Sequence, residues 1–286
     1  MGEIQGLAPS WLLLDRSVST KDINISGTLS VRVYQPPRIN ESDSLPLALY
    51  AHGGGWAFGG LDDDDALCRF IARTGPMVVV SVKYRLAPEY PFPAALEDCI
   101  DTIRWVNQHS EELNANSASL VTVGQSAGGN LAIATALKCL ENDIAHPIGV
   151  VAIVPITCHP DHCPRELARQ YTSYEENAYT PMTAATTMRS LFDLYSKSPE
   201  DPYISVLLHS NLSKMPKTYI AISEKDTLRD DGRLLKKRLD EYGVPNRCDE
   251  YIGQPHYFHT MPSKHLRTER DLFYKNLAKG LKFVLM

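Results

Sequence analysis

No run of the chain is long and apolar enough to cross a bilayer as a helix, which sets aside a helical membrane protein. Positive charge is not in excess either: 29 Lys and Arg stand against 34 Asp and Glu, a formal net charge of −5, with no basic cluster. Nucleic acid and anionic membrane surfaces are therefore excluded as expected partners. The six cysteines lack the compact spacing of a disulfide framework, as in compartments where thiols stay reduced. Cys68, Cys99 and Cys139 fall in segments read as helices, where cysteine behaves as a small buried hydrophobe. The apolar stretch Trp11-Leu12-Leu13-Leu14 follows no basic residue, so it lacks the form of a secretory signal. Gly6 stands where a myristoylation motif takes Ser or Thr, and Phe283-Val284-Leu285-Met286 is no prenylation box. The expectation is a cytoplasmic protein.

What is present is ordinary globular material: 286 residues, 43% hydrophobic and 22% charged, enough for one large α/β domain or two smaller ones. Residues 1–25 are mixed in character, with a short helix expected at 9–14. Residues 29–34 alternate apolar with polar as a half-buried strand does, and 45–51 is the continuous apolar run of a strand covered on both faces. From there strands (77–84, 120–123, 148–154) alternate with helices (66–73, 94–108, 131–142), which predicts a mostly parallel, doubly wound sheet. The alternation stops over 155–205, where only one helix is expected, at 184–195. That insertion, with residues 1–25, is expected to form a cap over the sheet's active end. Strand 217–223, helix 233–242, strand 247–252 and a last helix at 268–283 complete the reading.

Two glycine-rich stretches carry chemistry. In Val121-Thr122-Val123-Gly124-Gln125-Ser126-Ala127-Gly128-Gly129-Asn130, an apolar run meets a serine flanked by glycines two residues away on each side, then a helix. This is the strand, sharp turn and helix of a nucleophile elbow, which stands the serine hydroxyl clear of the sheet. His52-Gly53-Gly54-Gly55-Trp56 follows the strand at 45–51, and glycines there leave backbone N–H groups open to a cavity, as in H-G-G-G oxyanion loops. A serine hydroxyl needs a base and an orienting acid. In this fold they follow in the order serine, acid, histidine. Asp226, just past the strand at 217–223, is the leading acid, with Asp230 and Asp231 as competitors at the start of the next helix. His256, after the last strand, leads His259 as the base.

Two clusters invite a metal. Asp62 to Asp65 lie before a helix, where acids suit the positive N-terminal end and lack calcium-loop spacing. Cys158-His159-Pro160-Asp161-His162-Cys163 packs its four soft candidate ligands into a loop too short to wrap one ion tetrahedrally. No metal is expected at either.

The H-G-G-G stretch, the block Tyr84-Arg85-Leu86-Ala87-Pro88-Glu89-Tyr90-Pro91-Phe92-Pro93-Ala94-Ala95-Leu96-Glu97-Asp98, the elbow, Asp226-Thr227-Leu228-Arg229-Asp230-Asp231-Gly232 and His256-Tyr257-Phe258 together resemble the hormone-sensitive-lipase-type family of α/β-hydrolases, over nearly the whole chain. The resemblance implies a single α/β-hydrolase domain over 1–286 and a triad of Ser126, Asp226 and His256. It implies an oxyanion hole of Gly54, Gly55 and Ala127, with His52 and Gly53 supporting the loop. It further implies hydrolysis of carboxylic esters with small or medium acyl groups, without metal or organic cofactor. The chain is most similar in its cap to fungal members that trim acyl groups from secondary metabolites. It departs from the family pattern at Gln125, where an acid is common, and at Tyr257, where glycine is usual. Elimination or acyl transfer in the same pocket, or ligand binding on the same scaffold, are the rival readings. A homodimer is left open.

Overall fold

The computed structural model describes residues 15–37 and 44–286. The strands are β1 (Ser19–Asn24), β2 (Ser30–Gln35), β3 (Leu45–Ala51), β4 (Val78–Lys83), β5 (Ala115–Gln125), β6 (Gly149–Ile153), β7 (Lys217–Lys225) and β8 (Asn246–Pro255). The α-helices are α1 (Asp65–Thr74), α2 (Ala94–His109), α3 (Ala127–Glu141), α4 (Ser173–Glu176), α5 (Ala185–Tyr195), α6 (Arg229–Glu241) and α7 (Arg267–Leu285). One sheet runs in the order β1-β2-β4-β3-β5-β6-β7-β8. From β4 to β8 all pairings are parallel, and β1 and β2 add an antiparallel edge.

Burial explains why the central strands read so plainly: every residue of β6, and all of β4 but Lys83, is buried between two helical layers. α2, α3 and α6 pack on one face of the sheet, α1 and α7 on the other. In α1, buried Leu67, Cys68, Ile71 and Ala72 recur at helical spacing, and in α2 so do Leu96, Ile100, Ile103 and Val106. Each such large side chain contributes roughly 1.5–3 kcal/mol by leaving water. Strand order reverses between β3 and β5, the place where ligands bind in open α/β sheets, beyond the strands' carboxyl ends.

Two expectations need correction. Within 1–25, residues Ser19–Asn24 are not cap but the edge strand β1, paired with β2 and tied to it by Arg32 Nε donating to Asp22 at 2.6 Å. The helix expected at 9–14 lies outside the described residues. The segment 155–205 holds more than one helix: 3₁₀ turns at Pro160–His162 and Ala168–Gln170 and the short α4 precede α5.

Candidate active site

Ser126 stands between β5 and α3 with φ 56° and ψ −122°, a left-handed conformation costly to a residue with a Cβ. The surroundings over-determine it: its N–H donates to the Ile153 carbonyl at 2.8 Å, and its carbonyl accepts from Asn130 and Ile156. The flanking glycines are required by close approach. A Cβ on Gly124 would lie 2.0 Å from the Gly128 carbonyl oxygen, and one on Gly128 2.1 Å from that of Ala51. Without either Cβ, strand and helix meet tightly enough to expose the serine.

The glycine loop leaves the end of the neighbouring β3. Gly54 and Gly55 have φ of 115° and 60°. His52 fixes the loop from below: its Nδ1–H donates to the Gly53 carbonyl at 2.7 Å, its ring stacks on Tyr84 at 4.1 Å, and the Tyr84 hydroxyl donates to its carbonyl at 2.9 Å. Burial lowers the His52 pKa, which keeps the ring neutral. Trp56 stacks on Tyr195 of α5 at 4.3 Å, while Arg85 binds Asp98 through both backbone and side chain. The proline-punctuated block thus braces the loop, because Ala87 N–H donates to the Trp56 carbonyl and Phe92 N–H to that of Tyr195.

Asp226 and His256 meet directly, Asp226 Oδ2 accepting from His256 Nδ1–H at 2.6 Å, with both side chains about 1% exposed. Asp226 Oδ1 accepts from Thr183 Oγ1 at 2.9 Å and from Leu228 N–H at 3.1 Å. The other nitrogen of His256, Nε2, has no hydrogen-bond partner among the described residues and so is open to a proton. The competing acids have other employment. Asp230 Oδ2 accepts from the N–H groups of Thr172 and Ser173, and Asp231 Oδ1 from those of Thr157 and Cys158. Both acids anchor the 155–205 segment to α6.

His259 lies beneath the elbow. Its Nε2–H donates to Gln125 Oε1 at 3.0 Å and its ring stacks on Phe273, and burial pushes its pKa down to about 3. Gln125 in turn donates through Nε2 to Asp64, which also accepts from Tyr50 Oη at 2.8 Å. In the sequence Asp64 is one of four helix-leading acids, and nothing in its spacing signals that it turns inward. Its burial raises its pKa. Asp62 and Asp65 pair with Arg32 and Arg69, while Asp63 lines the cavity that Asp64 also borders. In the second candidate metal cluster His159 Nδ1 accepts from Asp161 N–H, and Asp161 pairs with Arg189. Among the described residues no three His, Cys, Asp or Glu side chains gather as a metal site.

Tyr257, the second departure, turns its hydroxyl onto Gly54 N–H and the Ser126 side chain. It shares with Gly53, Gly54, Phe58, Gln125 and Asp64 the wall of a cavity of about 250 Å³. From the α5 side Leu191 covers the loop, its Cδ1 lying 2.4 Å from where a Cβ on Gly55 would stand.

The sequence and the fold are matched elsewhere. Residues 48–260 match the family model described as the alpha/beta hydrolase fold. A versiconal hemiacetal acetate esterase of Aspergillus parasiticus is 43% identical, covering 94% of this chain and 84% of its own. Among solved structures, vibralactone cyclase superposes with a TM-score of 0.88 at 28% identity over 99% of this chain and 84% of that one. An esterase of Pyrobaculum calidifontis follows at 0.81 and 29%, over 98% and 89%. The chain belongs to the α/β-hydrolase family, in the hormone-sensitive-lipase-type esterase branch whose motifs it carries.

Proposed function

We propose that this chain is a carboxylic ester hydrolase in which Ser126 is the nucleophile, His256 the general base and then acid, and Asp226 the group that orients the imidazole. The observation that carries the reading is the buried 2.6 Å bond from His256 Nδ1–H to Asp226, which leaves Nε2 without a hydrogen-bond partner among the described residues, together with a serine held in the strained elbow. His256 Nε2 takes the Ser126 proton as Oγ attacks the ester carbonyl. The tetrahedral oxyanion is held by the N–H groups of Gly54, Gly55 and Ala127, each on the order of 3 kcal/mol. His256 gives its proton to the leaving alcohol, and water then repeats the steps on the acyl-enzyme. Asp226 stabilises the imidazolium that forms.

The esterase names of the relatives support hydrolysis over elimination, acyl transfer or simple ligand binding. The cavity of about 250 Å³ beside Gly53 and Gly54 has room for a small acyl group, and the fungal relative's name denotes an acetate ester. We read the substrate as a short-acyl ester of a secondary metabolite. The segment 155–205 acts as the cap of a single domain, since Asp230 and Asp231 hold it to α6 and its Tyr195 stacks on Trp56 of the glycine loop. Six free cysteines support a cytoplasmic setting. Among the described residues no helix is long and apolar enough to cross a membrane.

The test is Ser126→Ala with p-nitrophenyl acetate. Loss of turnover with unchanged circular dichroism is expected, and retained turnover would overturn the assignment.

A further inference from the structure

We propose that Tyr257 is a catalytic residue whose phenol takes the Gly54 amide's hydrogen bond and passes its own O–H on to the oxyanion. The inference rests on the serine-hydrolase reading above and refines its oxyanion hole: Gly54 acts through Tyr257 rather than directly.

Position comes first. Tyr257 follows His256 and has a φ of 59°, a left-handed turn held by Phe258 N–H donating to the Pro255 carbonyl and by Thr260 N–H and Oγ1–H donating to the Tyr257 carbonyl. That turn folds the ring back over the glycine loop. Its centroid is 4.2 Å from that of His256, and a Cβ on Gly53 would lie 1.8 Å from Oη and 3.0 Å from Cζ. Only glycine at 53 leaves room for the phenol. There Oη packs against Gly53 and comes within reach of the Gly54 N–H and the Ser126 hydroxyl, a backbone donor on one side and the attacking atom on the other.

The chemistry follows from that placement. After attack, Ser126 Oγ and the oxyanion are substituents of one tetrahedral carbon. At rest the Ser126 hydroxyl acts as a donor toward the phenol oxygen; once that proton has passed to His256, the phenol's own O–H reaches the oxyanion by rotating about the Cζ–Oη bond alone. Once acylated, Ser126 Oγ is a poor acceptor, whereas the oxyanion makes a charge-assisted bond roughly twice as strong as a neutral one. Accepting from Gly54 polarises the phenol and strengthens its donation. Burial raises the Tyr257 pKa, so the proton is present at every working pH. A ring that merely fills space would not need the hydroxyl.

Tyr257→Phe keeps the ring and removes only the O–H. With p-nitrophenyl acetate we expect kcat to fall about 100-fold, the usual loss for one oxyanion donor. KM should stay near the wild-type value, and the affinity for phenylboronic acid, which forms a tetrahedral adduct on the serine, should weaken by a similar factor. Unchanged or increased kcat would overturn the proposal, and so would a fall in kcat with boronate affinity intact. A fluorophosphonate probe separates the two levels. Labelling of Ser126 in both wild type and Tyr257→Phe leaves the kinetic result to judge Tyr257. A wild type that is active yet unlabelled overturns the serine-hydrolase reading and this proposal with it.

Discussion

Gln125 carries two hydrogen bonds that an ionised acid could not carry together, donating to Asp64 and accepting from His259. A glutamate there could accept from His259 but would set a second carboxylate against the buried Asp64, so one of the pair must hold a proton. Gln125→Glu is therefore expected to cost about 1–3 kcal/mol of stability at pH 8 and less at pH 5, read from urea midpoints. Equal midpoints at pH 8 would refute it. The same network shows what a single residue's position conveys. His256 and His259 differ by three places, and topological placing favours His256 as the base, but that His259 is locked neutral under the elbow depends on Phe273 and Gln125, which no local pattern links to it. Thr183 is a similar case. It lies 43 residues from Asp226 in a stretch without a regular pattern, yet donates to Oδ1 at 2.9 Å. Thr183→Val should lower kcat about 10-fold with KM unchanged, the effect of one hydrogen bond to a charged group, and Thr183→Ser should restore it. Full activity in the valine variant would remove Thr183 from the positioning of the acid.

Elements obey the burial around them. β3, β4 and β6 were legible because both faces are covered, so the strands are nearly continuous apolar runs. β1 was not, because Ser-Thr-Lys-Asp-Ile-Asn has no alternating pattern and is held by pairing at the sheet edge. The elbow was legible because its glycines answer to backbone contact. Gly128→Ala would drive a Cβ to 2.1 Å from the Ala51 carbonyl and 2.4 Å from that of His52, atoms at the end of a central strand that cannot yield independently. Insoluble or unfolded protein is expected, and a soluble variant with native circular dichroism and activity would contradict the packing argument. Helix α6 shows the reverse: its first-turn acids suit a helix start, but their bonds run to the segment 155–205. Burial pushes Asp231 up to about 7 from an ordinary 3.8. Between those values the folded chain keeps a proton that the unfolded chain has lost, so this contribution is full below about 4 and fades as pH rises through 7. His259 has the opposite sign: held neutral with a pKa of about 3, it contributes above 6.5 and loses that contribution on acidification. Asp231→Asn can keep the bonds from Thr157 and Cys158 and donate to Tyr171 Oη, which already reaches the Cys158 carbonyl. Its thermal midpoint should gain on wild type steadily from pH 4 to pH 8, and a constant difference would refute the assignment.

Taken as one body, the molecule sets the segment 155–205 against the proposed site through two kinds of contact. The acids of α6 hold the backbone of 157–158 and 172–173, and α5 packs Phe192 and Tyr195 on Trp56 at the end of the glycine loop. The loop is therefore not merely open backbone at a strand end but lies packed directly against α5. Leu191 is the part of that helix nearest the proposed chemistry, its Cδ1 2.4 Å from the point where Gly55 would carry a Cβ. A side chain so placed limits the bulk of whatever lies over the proposed oxyanion hole. Removing it should admit a larger ester, since each methylene accommodated or refused in an apolar pocket changes discrimination about 10-fold or more. Leu191→Ala is expected to raise the ratio of kcat/KM for p-nitrophenyl hexanoate over p-nitrophenyl acetate by about that factor, while the Asp226–His256 pair, which Leu191 does not touch, keeps the acetate reaction within a few-fold of wild type. An unchanged ratio would show that α5 does not set the acyl limit, and would move the search for it to the cavity lined by Phe58 and Tyr257 on the other side of the loop.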